Sequence, residues 1–141
     1  MSNAFNPSAG LYYVMADESC ASYVDDPDSF APGQLEYGGY ASAQQGYKHV
    51  RAINLQTGAI AWDKPLTGPG LTFSGVLSMA NLVFYGDDNG DFTAVDAASG
   101  NTVWTYVTQQ TWKASPMTYM VNGKQYVAIA APGQPMVFAL K

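Results

Sequence analysis

Ala52-Ile53-Asn54-Leu55-Gln56-Thr57-Gly58-Ala59-Ile60-Ala61-Trp62 returns as Ala94-Val95-Asp96-Ala97-Ala98-Ser99-Gly100-Asn101-Thr102-Val103-Trp104. The Ala, the Asn or Asp, the hydroxyl residue, the Gly and the Trp all recur 42 residues apart. A period near 42 with strand, tight turn and strand in each unit is the pattern of a β-propeller blade. A single unit of this kind leaves its apolar face uncovered, so the fold must be read as an array of stacked sheets. The 141 residues hold only about 3.4 such units, fewer than the four to eight blades of a closed ring.

Each residue of the repeat has a physical task. Gly58 and Gly100 fall where a tight turn needs positive φ. Asn54 and Asp96 are suited to hold the same turns by accepting backbone hydrogen bonds on their side chains. Trp62 and Trp104 leave the turns on outer strands, where an indole can lie between neighbouring blades and donate its N–H to a carbonyl. Ala52 and Ala94 leave room for such a ring. An indole buried in this way is worth about 3–5 kcal/mol. Trp62-Asp63 also forms the dipeptide of WD40 blades, but Trp104 precedes Thr105 and no Gly-His opens either unit.

The flanking sequence fills in the blades. Strands are expected at Leu11–Met15, Val50–Leu55 and Ala59–Lys64. The next four are Phe73–Met79, Leu82–Gly86, Asp91–Asp96 and Asn101–Val107. The last are Ala114–Val121, Lys124–Ala131 and Met136–Leu140. Residues 1–4 read as a cloning scar, and 5–66 as an incomplete blade whose first strand is missing or is a stub around Phe5. Within that blade, 17–46 is a long polar insertion, beyond an ordinary connection. Residues 67–110 form a complete blade and 111–141 an incomplete last one. The expected class is all-β, a partial β-propeller of about three four-stranded antiparallel blades. Unpaired edges and uncovered faces predict that the chain associates with itself or is marginally stable.

Composition narrows the function. Six Lys and Arg against eleven Asp and Glu give a net charge of −5, with no basic stripe for nucleic acid. No apolar stretch reaches the length of a membrane span, and no signal peptide is visible. Cys20 has no partner within the chain, so it is either a small buried hydrophobe or half of a disulfide. His49 is the sole histidine, which excludes a histidine-rich metal site within one chain. Asp87-Asp88-Asn89-Gly90-Asp91 has the spacing of a Ca²⁺ loop. It lacks the Gly at loop position 6 and the Glu at position 12, and reads as a hairpin turn with Asn-Gly at φ > 0. Asp25-Asp26-Pro27-Asp28 reads as a solvated loop rather than a catalytic carboxylate pair. There is no Gly-x-Ser-x-Gly elbow and no Gly-rich phosphate loop ahead of a helix.

The motif Ala-x-Asn/Asp-x-x-Thr/Ser-Gly-x-x-x-Trp resembles the tryptophan-docking motif of the pyrroloquinoline-quinone (PQQ) dehydrogenases. The flanks resemble that family as well. Leu71-Thr72-Phe73-Ser74-Gly75-Val76-Leu77-Ser78 with Leu82-Val83-Phe84-Tyr85-Gly86-Asp87-Asp88-Asn89-Gly90 is similar to its penultimate complete blade. Ala114-Ser115-Pro116-Met117-Thr118-Tyr119 with Gly123-Lys124-Gln125-Tyr126-Val127-Ala128 is similar to the stretch that follows. Asn6-Pro7-x-x-Gly10-Leu11-Tyr12-Tyr13-Val14 is similar to an earlier strand. Whole members are eight-bladed periplasmic enzymes that oxidise alcohols or sugars, with PQQ and Ca²⁺ or a lanthanide on the propeller axis.

The resemblance implies a C-terminal portion of such an enzyme, whose partner is the rest of the parent propeller. The catalytic Asp, the metal ligands and most residues gripping PQQ lie N-terminal to the matched region, so no catalytic or metal-binding residue is expected here. One cofactor-facing position carries over. Phe73 stands where many members place a Trp beneath the quinone, and its ring offers a face for stacking. Another Trp of some members has no match in Ala131–Met136. Cys20 stands where some members have a disulfide cysteine, with the partner upstream. Propellers with such repeats also serve as non-catalytic scaffolds, and a self-assembled ring of copies is a further reading. The Leu-Thr-Phe-Ser-Gly and Ser-Pro-Met-Thr-Tyr stretches favour the enzyme.

Overall fold

A computed structural model describes residues 1–25, 32, 33, 35, 38–44, 46–68 and 72–139. Asp26–Asp28, Leu71, Leu140 and Lys141, used in the readings above, lie outside the described residues. The described residues hold strands and no helix. The chain divides into two compact units, 1–16 with 48–141 and 17–47.

Three antiparallel sheets make up the larger unit. The first has β1 (Ala4–Asn6), β2 (Leu11–Glu18), β5 (Tyr47–Asn54) and β6 (Ile60–Leu66), in the order β1-β2-β5-β6. The second runs β7 (Leu77–Met79), β8 (Leu82–Gly86), β9 (Phe92–Asp96) and β10 (Thr102–Tyr106) in chain order. The third has β11 (Met117–Val121), β12 (Lys124–Ala131) and β13 (Gln134–Ala139). The smaller unit is a hairpin of β3 (Ala21–Asp25) and β4 (Gly39–Ala43).

The unit read as an incomplete first blade is thus a four-stranded sheet. Its stub, β1, pairs Ala4 with Tyr13, and the Ser2 carbonyl accepts the Val76 N–H at 3.0 Å, so residues 2–4 contact the fold. The strand expected at Phe73–Met79 is ladder-paired only from Leu77. Phe73 and Val76 instead donate their N–H groups to the carbonyls of Trp112 and Ser2. Between β8 and β9 the connection takes all of Asp87–Asp91, and there only Gly90 has positive φ.

Side-chain alternation explains the layering. The central strands of sheet two, β8 and β9, are buried on both faces. Val83, Tyr85 and Val95 point to the core shared with Tyr13, Met15, Val50 and Ala52, whereas Phe84, Phe92 and Ala94 join Trp112, Val127 and Ile129. β8, Leu-Val-Phe-Tyr-Gly, therefore reads as a continuous apolar run. β2 and β12 cover one core each, and their buried residues alternate.

The two repeat turns are built alike. Asn54 Oδ1 accepts the N–H groups of Gln56 (2.9 Å) and Thr57 (3.1 Å), and Gly58 N–H donates to the Asn54 carbonyl (2.8 Å). Asp96 Oδ1 accepts those of Ala98 (3.2 Å) and Ser99 (2.9 Å), and Gly100 N–H donates to the Asp96 carbonyl (2.9 Å). The register then shifts at the same place in both units, between Ala52 and Ile53 and between Thr102 and Trp104. One extra residue, Ala61 or Val103, sets each Trp opposite its Ala, with Trp62 facing Ala52 and Trp104 facing Ala94.

Trp62 carries the link between sheets one and two. Its Nε1–H donates to the Ala97 carbonyl at 3.0 Å, and the Tyr13 hydroxyl donates to the same oxygen at 3.0 Å. The indole lies against Gly100, where a Cβ would meet ring atom Cδ2 at 2.7 Å, on a backbone of φ +72°. Gly100 is thus required twice, for the turn and for the close approach. Trp104 is placed differently. It is 37 % exposed, touches Phe138 edge-on at a centroid distance of 5.1 Å, and its N–H has no hydrogen-bond partner among the described residues.

Two predictions follow from this linkage. Trp62→Ala is expected to cost about 3–5 kcal/mol in urea unfolding and Trp104→Ala only about 1–2 kcal/mol; equal losses would contradict the difference in docking. The Ser99 hydroxyl and backbone hydrogen bonds hold the Asp96 carboxyl below its ordinary value of 3.8. That contribution to stability is present above the ordinary value and is lost as pH falls through the lower folded value. A carboxyl ¹³C titration is expected to show Ser99→Ala moving Asp96 back up; an unchanged titration would exclude the Ser99 bond.

Candidate functional site

Phe73 lies in the extended segment that links β6 to β7. Its ring is 45 % exposed in a stretch where Thr72 and Ser74 on either side are fully buried. Backbone alternation in an extended segment turns the two neighbours inward and the ring outward. The inward side chains are anchored. Thr72 Oγ1 donates to the Asp87 carbonyl at 2.9 Å, and Ser74 Oγ accepts the Gly86 N–H at 3.3 Å. Phe73 N–H donates to the Trp112 carbonyl at 2.9 Å.

Two ammonium groups flank the ring. Lys113 Nζ lies 4.4 Å from its centroid and Lys48 Nζ 5.4 Å, both within cation–π range. Lys48 opens the buried face of β5, which continues through Val50 and Ala52. Its ammonium is nearly removed from water and meets both Asp88 oxygens at 3.0 and 3.1 Å and the Thr72 carbonyl at 2.7 Å. Asp88 Oδ1 also accepts the Thr72 N–H at 2.9 Å. The pair joins sheets one and two beneath the Phe73 segment and satisfies charges that would be costly to bury alone.

Trp112 forms the floor beside it. It is fully buried, donates Nε1–H to the Gly90 carbonyl at 3.0 Å, and packs so closely on Gly86 that a Cβ there would overlap the indole. The Asp87–Asp91 loop is occupied by its own backbone. Asp87 Oδ1 accepts the N–H groups of Asn89 (3.0 Å) and Asp91 (2.9 Å), and Asp91 Oδ1 accepts that of Thr108 (2.8 Å). Burial pushes the Asp87 carboxyl above its ordinary value, opposed by the Asp91 and Asn89 N–H bonds. Both carboxylates thus hold backbone groups of the turn and of the Thr108 segment. Among the described residues no three His, Cys, Asp or Glu side chains form a group able to hold a metal ion.

The other sequence candidates lie elsewhere. Asn54, Gly58, Asp96 and Gly100 belong to the two repeat turns, and Trp62 lies on β6. His49 Nδ1 is 3.1 Å from Asp63 Oδ2, beside the Arg51–Asp63 pair at 2.9 Å. Cys20 is an exposed free thiol. Lys48, Trp112 and Lys113 were not singled out from sequence, and Asp88 was read only as part of the Asp87–Asp91 turn. A lone Lys on the inward phase of β5 is the one sequence signal of a buried, paired charge; Asp88, two residues beyond β8, carries none.

A family model described as the PQQ glucose/ethanol/alcohol dehydrogenase β-propeller domain matches residues 27–127. Quinoprotein ethanol dehydrogenase of Pseudomonas aeruginosa is 31 % identical over 131 residues, which cover 89 % of this chain and 21 % of that protein. Lanthanide-dependent methanol dehydrogenase of Methylorubrum extorquens is 31 % identical over 133 residues, covering 89 % and 22 %. The crystal structure of quinohemoprotein alcohol dehydrogenase from Comamonas testosteroni superposes with a TM-score of 0.79 at 28 % identity, covering 92 % of this chain and 21 % of that one. The chain thus spans about a fifth of the length of these relatives.

The buried pair gives a direct prediction. Lys48→Met strands the Asp88 carboxylate and is expected to cost about 3–5 kcal/mol, and adding Asp88→Asn is expected to recover part of it. Chemical denaturation of the two variants checks this; a double variant less stable than Lys48→Met would rule out a paired charge as the source of the loss.

Proposed function

Because the chain belongs to the PQQ glucose/ethanol/alcohol dehydrogenase β-propeller family, we propose that it is part of a periplasmic PQQ-dependent dehydrogenase of alcohols or sugars. On this reading Phe73 offers the aromatic face beneath the cofactor. The observation that carries it is the exposed Phe73 ring, fixed by buried neighbours on both sides and flanked by two ammonium groups. PQQ is planar and carries several carboxylates, so an exposed aromatic ring beside the Lys113 ammonium fits it. Bound PQQ, with Ca²⁺ or a lanthanide, supplies the acceptor for a hydride from the substrate carbon.

The tasks of this chain's own residues are positional. The Asp88 carboxylate fixes Thr72 through its N–H and neutralises Lys48, which keeps the Phe73 segment in one place. Trp112 supports it through the carbonyl that accepts the Phe73 N–H. Lys113 holds a positive charge at the ring, where it favours an anionic ligand over a neutral one. The metal ligands and the general base belong to the rest of the parent propeller. The 141 residues by themselves therefore do not turn over and bind PQQ only weakly.

Tryptophan fluorescence and ¹H NMR titrations with PQQ and Ca²⁺ test this. The expected result is binding weaker than micromolar, with ring signals of Phe73 shifting and the shift lost in Phe73→Ala. Micromolar, metal-dependent binding would overturn the claim that most of the site lies elsewhere. PQQ-induced shifts that leave Phe73 untouched would remove its assigned role.

A further inference from the structure

Asparagine followed by glycine occurs at Asn89-Gly90, between β8 and β9, and at Asn122-Gly123, between β11 and β12. Gly90 and Gly123 both take positive φ, which a tight turn between antiparallel strands asks of them. The pair has a chemistry of its own. The backbone nitrogen of the Gly can attack the side-chain amide carbon of the Asn, and a Gly has no Cβ to hinder the approach. The attack needs a backbone free to turn toward the side chain, a nitrogen whose N–H is not engaged, and access to water.

The structure separates the two pairs on these grounds. Asn89-Gly90 is pinned. The Asn89 N–H donates to Asp87 Oδ1 at 3.0 Å, the Gly90 N–H to the Asp87 carbonyl at 3.1 Å, and the Gly90 carbonyl accepts Trp112 Nε1–H at 3.0 Å. Gly90 is buried and packs on the backbone of Gln109 and Gln110. Turning this peptide breaks those bonds and that packing together. Asn122-Gly123 is exposed at both residues and forms a two-residue turn closed by the pair Val121↔Lys124, with φ of +49° and +77°. Among the described residues nothing accepts the Gly123 N–H, and a Cβ on Gly123 would meet no atom within 4 Å. β11 pairs with β12 alone, so the tip opens by releasing only the end of one ladder.

We propose that Asn122 is a site of spontaneous deamidation in the folded chain and that Asn89 is protected from it. A bond forms between Gly123 N and Asn122 Cγ, the Asn122 side-chain nitrogen leaves as ammonia, and the Gly123 amide proton is lost to solvent. Water then opens the resulting succinimide. Opening at the side-chain carbonyl gives aspartate, and opening at the backbone carbonyl gives isoaspartate, with no change of oxidation state. Either product places a new negative charge beside Lys124. Aspartate keeps the turn, since it tolerates the left-handed conformation. Isoaspartate carries the main chain through the side chain and lengthens a two-residue turn by one methylene, which disturbs the Val121↔Lys124 register. Sheet three is thus the part that changes with age, and the Asp87–Asp91 loop that anchors Thr72 is spared.

The test incubates the 141-residue chain in mildly alkaline buffer, with samples digested by trypsin and read by mass spectrometry. Asn122 is the sole asparagine of the fragment Ala114–Lys124. That fragment is expected to gain the mass of an amide-to-acid exchange and to split into aspartate and isoaspartate peaks. Asn89 is expected to react at least about tenfold more slowly, because its turn must first open. In urea, where both turns are lost, the two rates are expected to converge. No change at Asn122 in the folded chain, or equal rates at Asn122 and Asn89 there, would overturn the proposal. A difference that persists undiminished in urea would assign the selectivity to neighbouring sequence and would overturn it as well.

Discussion

One indole holds this array together. The Trp62 ring leaves the first sheet, lies on the Gly100 backbone of the second and ends its N–H on the Ala97 carbonyl. That carbonyl also takes the Tyr13 hydroxyl, so a single oxygen ties two aromatic side chains of one sheet to the turn of the next. The contact depends on features inside both repeats: a register shift that aims the Trp, and a turn whose Asp and Gly leave a flat surface. Apolar burial supplies most of the cohesion between sheets, but it does not set their relative position. The directional hydrogen bond and the close approach at Gly100 do.

The same registration builds the candidate site. With sheets one and two fixed, Lys48 from the inward face of β5 reaches Asp88 beyond the end of β8 and clamps Thr72 between them. Phe73 is then turned outward between two anchored neighbours. The site is therefore made by a segment that has left the ladder and is held by side chains and loop carbonyls. That suits a binding position, since such segments present groups that a paired strand would hide.

Much of the fold was legible because the 42-residue spacing repeats a complete physical device. The twice-buried strand β8 was equally readable, as Leu82–Gly86 is apolar on both phases. The losses have definite causes. β3 and β4 are rich in Ala, Ser and Gly and bury neither face, so no alternation marks them. β1 is three residues long and takes its place only by pairing with β2. The non-ladder stretch before β7 reads as strand by composition, and only the Trp112 and Ser2 carbonyls reveal that it is not one. Within the site, Phe73 came from a resemblance and not from its own environment. The Lys48–Asp88 pair joins residues 40 apart in sequence, and no local pattern encodes such a contact.

Hydrogen exchange of the three indole N–H groups, followed by NMR, tests the central claim most directly. Trp62 and Trp112 donate to buried carbonyls, and Trp104 has no such acceptor among the described residues. Strong protection of the Trp62 and Trp112 N–H signals with rapid exchange at Trp104 is the predicted result. Equal exchange at Trp62 and Trp104 would mean that the first and second sheets are not linked through the Trp62 indole.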